Sequence, residues 1–296
     1  MTDILSASVR IATPILLAAL GGLLCFRAGV FNIGLEGMML IGSRAGVAGV
    51  IWSNGSVWAG FLTAIAAGVL VAELFAFASI RLRANYIIVS LAINMLALGL
   101  TSFLLKAIFQ TTGALRPPVI NKLPDIDIPL LSKLIGKQSI VTYFGILVVL
   151  IVRFVMRHTH VGIKIQSVGE APETAVTCGI KTDRIKTVML LICGALCGLA
   201  GAYLSTVTVS EFTENMVSGR GFTAFTAVAF GGSNPIVTFL VSLLLGFAEA
   251  AGIRLEIMNT GMSPSIVKMF PYLLALVVYA LGTSIRNATV RRKSGG

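Results

Sequence analysis

The chain has 296 residues, of which 56% are hydrophobic and 12% charged, with a formal net charge of +11 and a mean hydropathy of +0.93. That balance excludes an ordinary soluble domain, and several apolar windows near the roughly 20 residues of a spanning helix, without period-2 alternation, exclude a membrane barrel. The basic residues sit at the ends of apolar runs and no aromatic-interleaved basic domain exists, so the charge reads as positive-inside bias and nucleic acid is excluded as a partner.

The expected fold is all-α, a polytopic transmembrane helical bundle of about eight or nine spans with glycine-broken helices. The N-terminal MTDILSASVRIATP lacks a basic start and a small-residue cleavage site, so the first span, about Ile11 to Phe26 and closed by Arg27, reads as a retained helix. Next, Arg27 to Val47 is apolar but carries Gly29, Gly34, Gly37, Gly42 and Gly46, a density that implies a broken helix or very close packing. A third span runs from Trp58 to Ile80 and a fourth from Tyr86 to Phe109. Residues 111–139 hold Pro117, Pro118, Pro124 and Pro129 and read as a loop, with room for a short surface helix.

A fifth span, Ile140 to Met156, leads to the one long run with several charges of both signs, His158 to Lys186. Within it Pro172 suits a first helical turn, Glu170 and Glu173 suit the positive N-terminal end, and Gly179 fits just past the C-terminus. The result is a helix of about two turns, too short to stand alone and therefore held by a partner surface. Thr182 and Asp183 begin a sixth span, Val188 to Val207, whose Gly194 and Gly198 form a close-packing G-x-x-x-G. Cys193 and Cys197 share its face at i, i+4 and read as small packing residues, not as a metal or redox pair. Gly219 to Gly232 is an apolar stretch too short to cross comfortably, and spans at Ile236 to Ile253 and Pro264 to Ile285 precede a basic tail.

Placing Arg27, Arg81, Arg83, the 153–186 region and the tail on one side groups 13 of the 23 Lys and Arg there, which makes that side cytoplasmic. The 111–139 loop then faces outward, and Gly219 to Gly232 must cross for the count to close.

The two glycine-interrupted segments occupy corresponding places in the two halves, where unwound backbone can offer N–H and C=O groups to a polar substrate. Asn32 and Asn94 are the candidates for reading a neutral polar ligand, Phe222 and Phe225 for stacking on a ring, and Glu36 lies beside them. Arg44 with Glu36 or Glu73 is expected to form a structural ion pair. Catalytic and metal constellations are missing: no G-x-x-x-x-G-K-[ST] cradles ATP, Gly219-Arg-Gly221-Phe-Thr-Ala224 lacks the context of a dinucleotide site, Asp125 and Asp127 read as solvated, and His158 and His160 do not share a helix face.

SVGEAPETAVTCGIKTDRIKTVMLLICGALCGLAGAYL resembles the coupling loop and following helix of ATP-binding cassette (ABC) importer permeases of the ribose and branched-chain amino acid type. RAGVFNIGLEGMMLIG and GRGFTAFTAVAFGGSNP resemble the nucleoside and simple-sugar branch. The resemblance covers nearly the whole chain and implies one permease domain over 1–296 in the bacterial cytoplasmic membrane, with a cytoplasmic coupling loop at 157–187 and an extracytoplasmic loop at 111–139. It implies a coupling helix on Gly169 to Gly179, carried by Gly169, Glu170, Ala171, Pro172, Glu173, Thr174, Ala175 and Gly179. The implied partners are membrane lipid, a second permease in a heterodimer, an extracytoplasmic substrate-binding lipoprotein, and ATPase subunits that hold the ATP and Mg, leaving this chain without a cofactor. The implied function is nucleoside import by alternating access. A ribose-like sugar is the alternative ligand, and an ATP-independent facilitator or an intramembrane enzyme is the rival class.

Overall fold

A computed structural model describes residues 2–110, 113–121, 125–126, 138–232 and 234–257. The expected Pro264 to Ile285 span, the basic tail, Asp127 and most of the 111–139 loop lie outside the described residues. Among the described residues ten helices follow in order: α1 (Thr2–Arg27), α2 (Leu35–Trp52), α3 (Val57–Ala76), α4 (Tyr86–Phe109), α5 (Ile140–His158), α6 (His160–Glu170), α7 (Pro172–Thr177), α8 (Thr182–Ala202), α9 (Arg220–Gly231) and α10 (Pro235–Ile257). Helices α3 and α8 each continue into a π turn, Phe77–Arg81 and Tyr203–Thr208. Four two-residue strands pair antiparallel, β1 (Ala114–Leu115) with β4 (Phe212–Thr213) and β2 (Asp125–Ile126) with β3 (Gln138–Ser139).

Local chemistry sets the boundaries. The side chains of Asn85, Ser139 and Thr159 accept N–H bonds from the first turns of α4, α5 and α6, which satisfies donors that a helix start leaves open. Among the described residues six helices are long and apolar enough to cross a membrane: α1, α4, α5 and α10, and α3 and α8 with their π turns counted in. Helix α2 crosses inside the bundle, with 14 of its 18 residues buried, so it is the central column.

Around that column α2, α3 and α8 close-pack through small residues. A methyl added at Gly42 would stand 2.5 Å from the Cα of Gly198, and Gly68 and Gly194 rest on each other's carbonyls. Such backbone contact is how membrane helices gain packing energy when lipid is as apolar as leucine. The dense glycines of the second segment thus divide by role. Gly29, at φ +76°, breaks the helix, whereas Gly37, Gly42 and Gly46 lie within α2 and admit α4, α8 and α3 against it. Cys193 and Cys197 are buried free thiols, and the backbone of Cys193 is what Gly21 of α1 packs against.

Helix α9 has 12 residues, about 18 Å at 1.5 Å per residue and short of the ~30 Å hydrocarbon core. It is preceded by backbone from Val209 to Gly219, irregular apart from β4 and held inside protein by the buried Phe212, Met216 and Val217. Unpaired backbone at such depth is tolerated only when it is covered by protein or lines a cavity. One end of this stretch pairs with β1, and the other leads through Asn234 into α10 beside Arg27 and Arg153.

Candidate functional site

Between α1 and α2 the chain unwinds over residues 28–34, and side chains from α4 hold the unwound backbone. Ser90 Oγ accepts the N–H of Ile33 at 3.1 Å, Asn94 Oδ1 accepts that of Gly37 at 2.8 Å, and Asn94 Nδ2 donates to the carbonyl of Ile33 at 3.3 Å. Asn32 folds back to accept from Gly34 N–H at 2.8 Å and donates to Cys193 Sγ at 3.5 Å. Both amides are buried and committed within the protein, Asn94 to backbone and Asn32 to backbone and the Cys193 sulfur. Phe31 instead stays 37% exposed, its ring edge-on to Phe225 with centroids 5.1 Å apart. Phe222, one turn earlier on α9, is also exposed.

Helix α9 starts without a side-chain cap of its own, on Gly219 at φ +88°. Glu36, from the first turn of α2, supplies the acceptor: Oε1 takes the N–H of Gly219 at 2.8 Å and Oε2 that of Gly221 at 2.7 Å. A carboxylate on a helix N-terminus gains from both the open donors and the helix dipole. Next to it Arg220 pairs with Glu249 of α10 at 2.6 Å. A carboxylate from α2 and an ion pair to α10 thus fix the half-helix at its inner end.

The expected ion pair of Arg44 with Glu36 or Glu73 is not formed. Glu36 is committed to α9, and Glu73 points outward, away from the core. Two N–H donors in fixed backbone geometry satisfy both oxygens of Glu36, which a guanidinium two turns further along its own helix cannot match. Arg44 is buried with Nε and Nη2 unpartnered, its guanidinium 5.9 Å from the centre of the Phe109 ring.

Two cavities flank the unwound segment. A larger one of about 460 Å³ is lined by Phe31, Ser79, Arg83, Asn85, Tyr86, Asp183 and Lys186 among others. Its size falls in the ordinary range for a small-molecule pocket, with aromatic walls and a few polar groups. A second, about 340 Å³, lies between the segment and the end of α6, with Phe31, Gly29, Arg27, Gly169 and Glu170 in its wall. There the two backbones touch: a Cβ on Gly29 would stand 3.2 Å from the Cα of Gly169, and one on Gly169 would overlap the carbonyl of Arg27.

Gly169 closes α6, Ala171 breaks the helix, and Pro172 opens the six-residue α7 with Glu173 in its first turn. Thr174 lies on the outer side of that helix and Gly179 follows it at φ +77°. Of α7 only Ala175 is buried, so the helix is anchored at one point and presents the rest outward. The residues singled out from the sequence therefore fall into two groups. Asn32, Glu36, Asn94, Phe222 and Phe225 converge on the unwound segment and the start of α9, and residues 169–179 form an exposed spur below it. Phe31, Arg220 and the wall residues Asn85 and Tyr86 escaped sequence reasoning. The available signal was a helix start at Gly219 lacking Ser, Thr, Asp or Asn as a cap, which demands a carboxylate from elsewhere.

Residues 4–279 match the family described as the permease component of branched-chain amino acid transport systems. The guanosine ABC transporter permease protein NupQ of Bacillus subtilis is 36% identical, the alignment covering 100% of this chain and 96% of NupQ. A Haloferax volcanii protein named for glucose ABC transport, TsgC13, is 32% identical over 97% of this chain and 93% of its own. Among solved structures, an inward-facing ABC transporter of metal-chelate type shares the fold at a TM-score of 0.50 and 13% identity, covering 95% of this chain and 84% of that one.

Proposed function

The chain belongs to the family of branched-chain amino acid transport system permease components and is a multi-pass permease subunit of an ABC transporter, and from that premise we propose that it carries a nucleoside through the cell membrane by alternating access. The observation that carries the ligand is the full-length similarity to a guanosine permease. The aromatic pair Phe31–Phe225 and the cavity walled by Phe31, Tyr86 and Asn85 support it, since they offer ring faces and amide groups to a base and a ribose.

In this reading the arginine-rich end is cytoplasmic and the 111–139 loop faces outward, toward a substrate-binding lipoprotein. The spur α7 docks in an ABC ATPase that holds ATP and Mg, and a second, unlike permease covers the open face of α4. When the ATPase dimer closes, α7 moves with it, and the contact of Gly169 with Gly29 passes that motion to the unwound segment and Phe31. Glu36, Asn32 and Asn94 keep the segment and α9 in register while Phe31, Phe222 and Phe225 meet the passing ring.

Uptake of labelled guanosine by cells that depend on the transporter containing this chain tests the ligand. Competition by unlabelled adenosine or guanosine but not by ribose is expected. The similarity to TsgC13 favours a sugar as the second reading, and absence of guanosine uptake beside saturable uptake of labelled ribose would replace the first by it.

A further inference from the structure

A third cavity, about 220 Å³, opens at the arginine-rich end and is lined by Arg27, Arg153, Met156, Arg157, Gln166, Asn234 and Pro235. Three guanidiniums and no carboxylate line it. Neither Arg153 nor Arg157 has an ion-pair or hydrogen-bond partner among the described residues, although the two stand four residues apart on one helix face, where like charges repel. No acidic side chain follows in residues 258–296 that could neutralise them. The N-terminus of α10 opens at the same place, adding the positive end of a 23-residue helix. The amide of Gln166 is tied to the carbonyl of Met156 at 2.9 Å and keeps that wall in place.

The surface running away from the cavity is apolar. Leu150, one turn before Arg153 on the same face of α5, is 56% exposed, and Val237, one turn after Asn234 on α10, is 37% exposed, with Phe154 and Leu240 beside them. Positive charge around a pocket, continuous with exposed aliphatic groups on two spanning helices, matches a molecule with a phosphate at one end and hydrocarbon at the other.

We propose that this cavity binds a phosphate-bearing anion through Arg153 and Arg157, and that its occupant is the headgroup of an anionic phospholipid whose chains lie along Leu150 and Val237. The anion removes the repulsion between the two guanidiniums and ties α5 to α10 beside the turn into α6. The proposal is independent of which solute is transported.

The test uses the full-length chain purified in neutral detergent with phosphatidylglycerol and phosphatidylcholine, counting retained lipids by native mass spectrometry. An arginine close to an anionic headgroup is worth about five-fold in affinity, so the double change Arg153→Gln, Arg157→Gln is expected to weaken phosphatidylglycerol retention about 30-fold. The control Lys181→Gln, Arg184→Gln removes the same charge from the same end and is expected to leave retention within about two-fold. Arg157→Gln alone, at an exposed position, keeps the test open should the double variant fold poorly, with about five-fold loss expected. Inorganic phosphate that displaces nothing at millimolar concentration identifies the lipid as the source. Phosphate that binds in an Arg157-dependent way without lipid retention keeps the anion site and assigns it to free phosphate. Equal retention by both double variants, or equal retention of phosphatidylcholine, overturns the site.

Discussion

Gly169 and Gly29 meet backbone against backbone, 140 positions apart in sequence, where the spur-bearing helix α6 reaches the unwound segment between α1 and α2. A side chain at Gly169 would overlap backbone and one at Gly29, at φ +76°, would be strained and tightly packed, so the proposed coupling from α7 to the unwound segment depends on this contact.

Gly169→Ala places a methyl against the carbonyl of Arg27 and should displace α6 at a cost of about 1–3 kcal/mol, the usual range for overpacking. Substrate uptake is expected to fall at least about ten-fold while the variant still reaches the membrane. Wild-type uptake by a well-expressed variant would show that the contact transmits nothing.

Glu36→Ala leaves the N–H groups of Gly219 and Gly221 without an acceptor inside the bundle. Charge-assisted hydrogen bonds contribute about 1.5–3 kcal/mol each, so a loss of roughly 3–6 kcal/mol is expected in a thermal or denaturant melt. Glu36→Gln should cost nearly as much, because it turns one of two acceptors into a donor facing an N–H. A Gln variant as stable as the wild type would mean that the carboxylate is not what holds α9.

Arg44→Met should stabilise the chain. The guanidinium is buried with two nitrogens unpartnered, and a buried charge without its full set of partners is costly, whereas methionine fills the same space without it. The melting temperature is expected to rise. A fall would require a favourable partner for Arg44 that outweighs its desolvation.

Glu173→Lys reverses the charge on the first turn of α7 without touching the buried anchor Ala175. It is expected to abolish uptake and co-purification of the ATPase while leaving the abundance of the permease unchanged. Retention of both activities would remove α7 from the coupling role.

Much of the architecture was legible because it is written in local signals. The long apolar run from Tyr86 to Phe109 gave α4 its ends, and Pro172 with Gly179 bracketed the spur. What stayed hidden depends on distant partners. Glu36 could be seen as a charge needing company, but its company is the start of a helix 183 residues later, and the nearby Arg44 looked like the natural partner. Glycine was ambiguous in another way, since the same residue marks the break at Gly29 and the close approach at Gly42. The aromatic Phe31 was passed over because its exposure follows from Asn32 and Asn94 being occupied with backbone, which only the folded chain reveals.

The glycine contacts among α2, α3 and α8 and the carboxylate clamp on α9 divide the molecule by mechanical kind. The first are steric and indifferent to salt or pH, and their amides should exchange with solvent hydrogen only on global unfolding. The second is electrostatic, and the half-helix it holds should open on its own, well before the rest of the bundle.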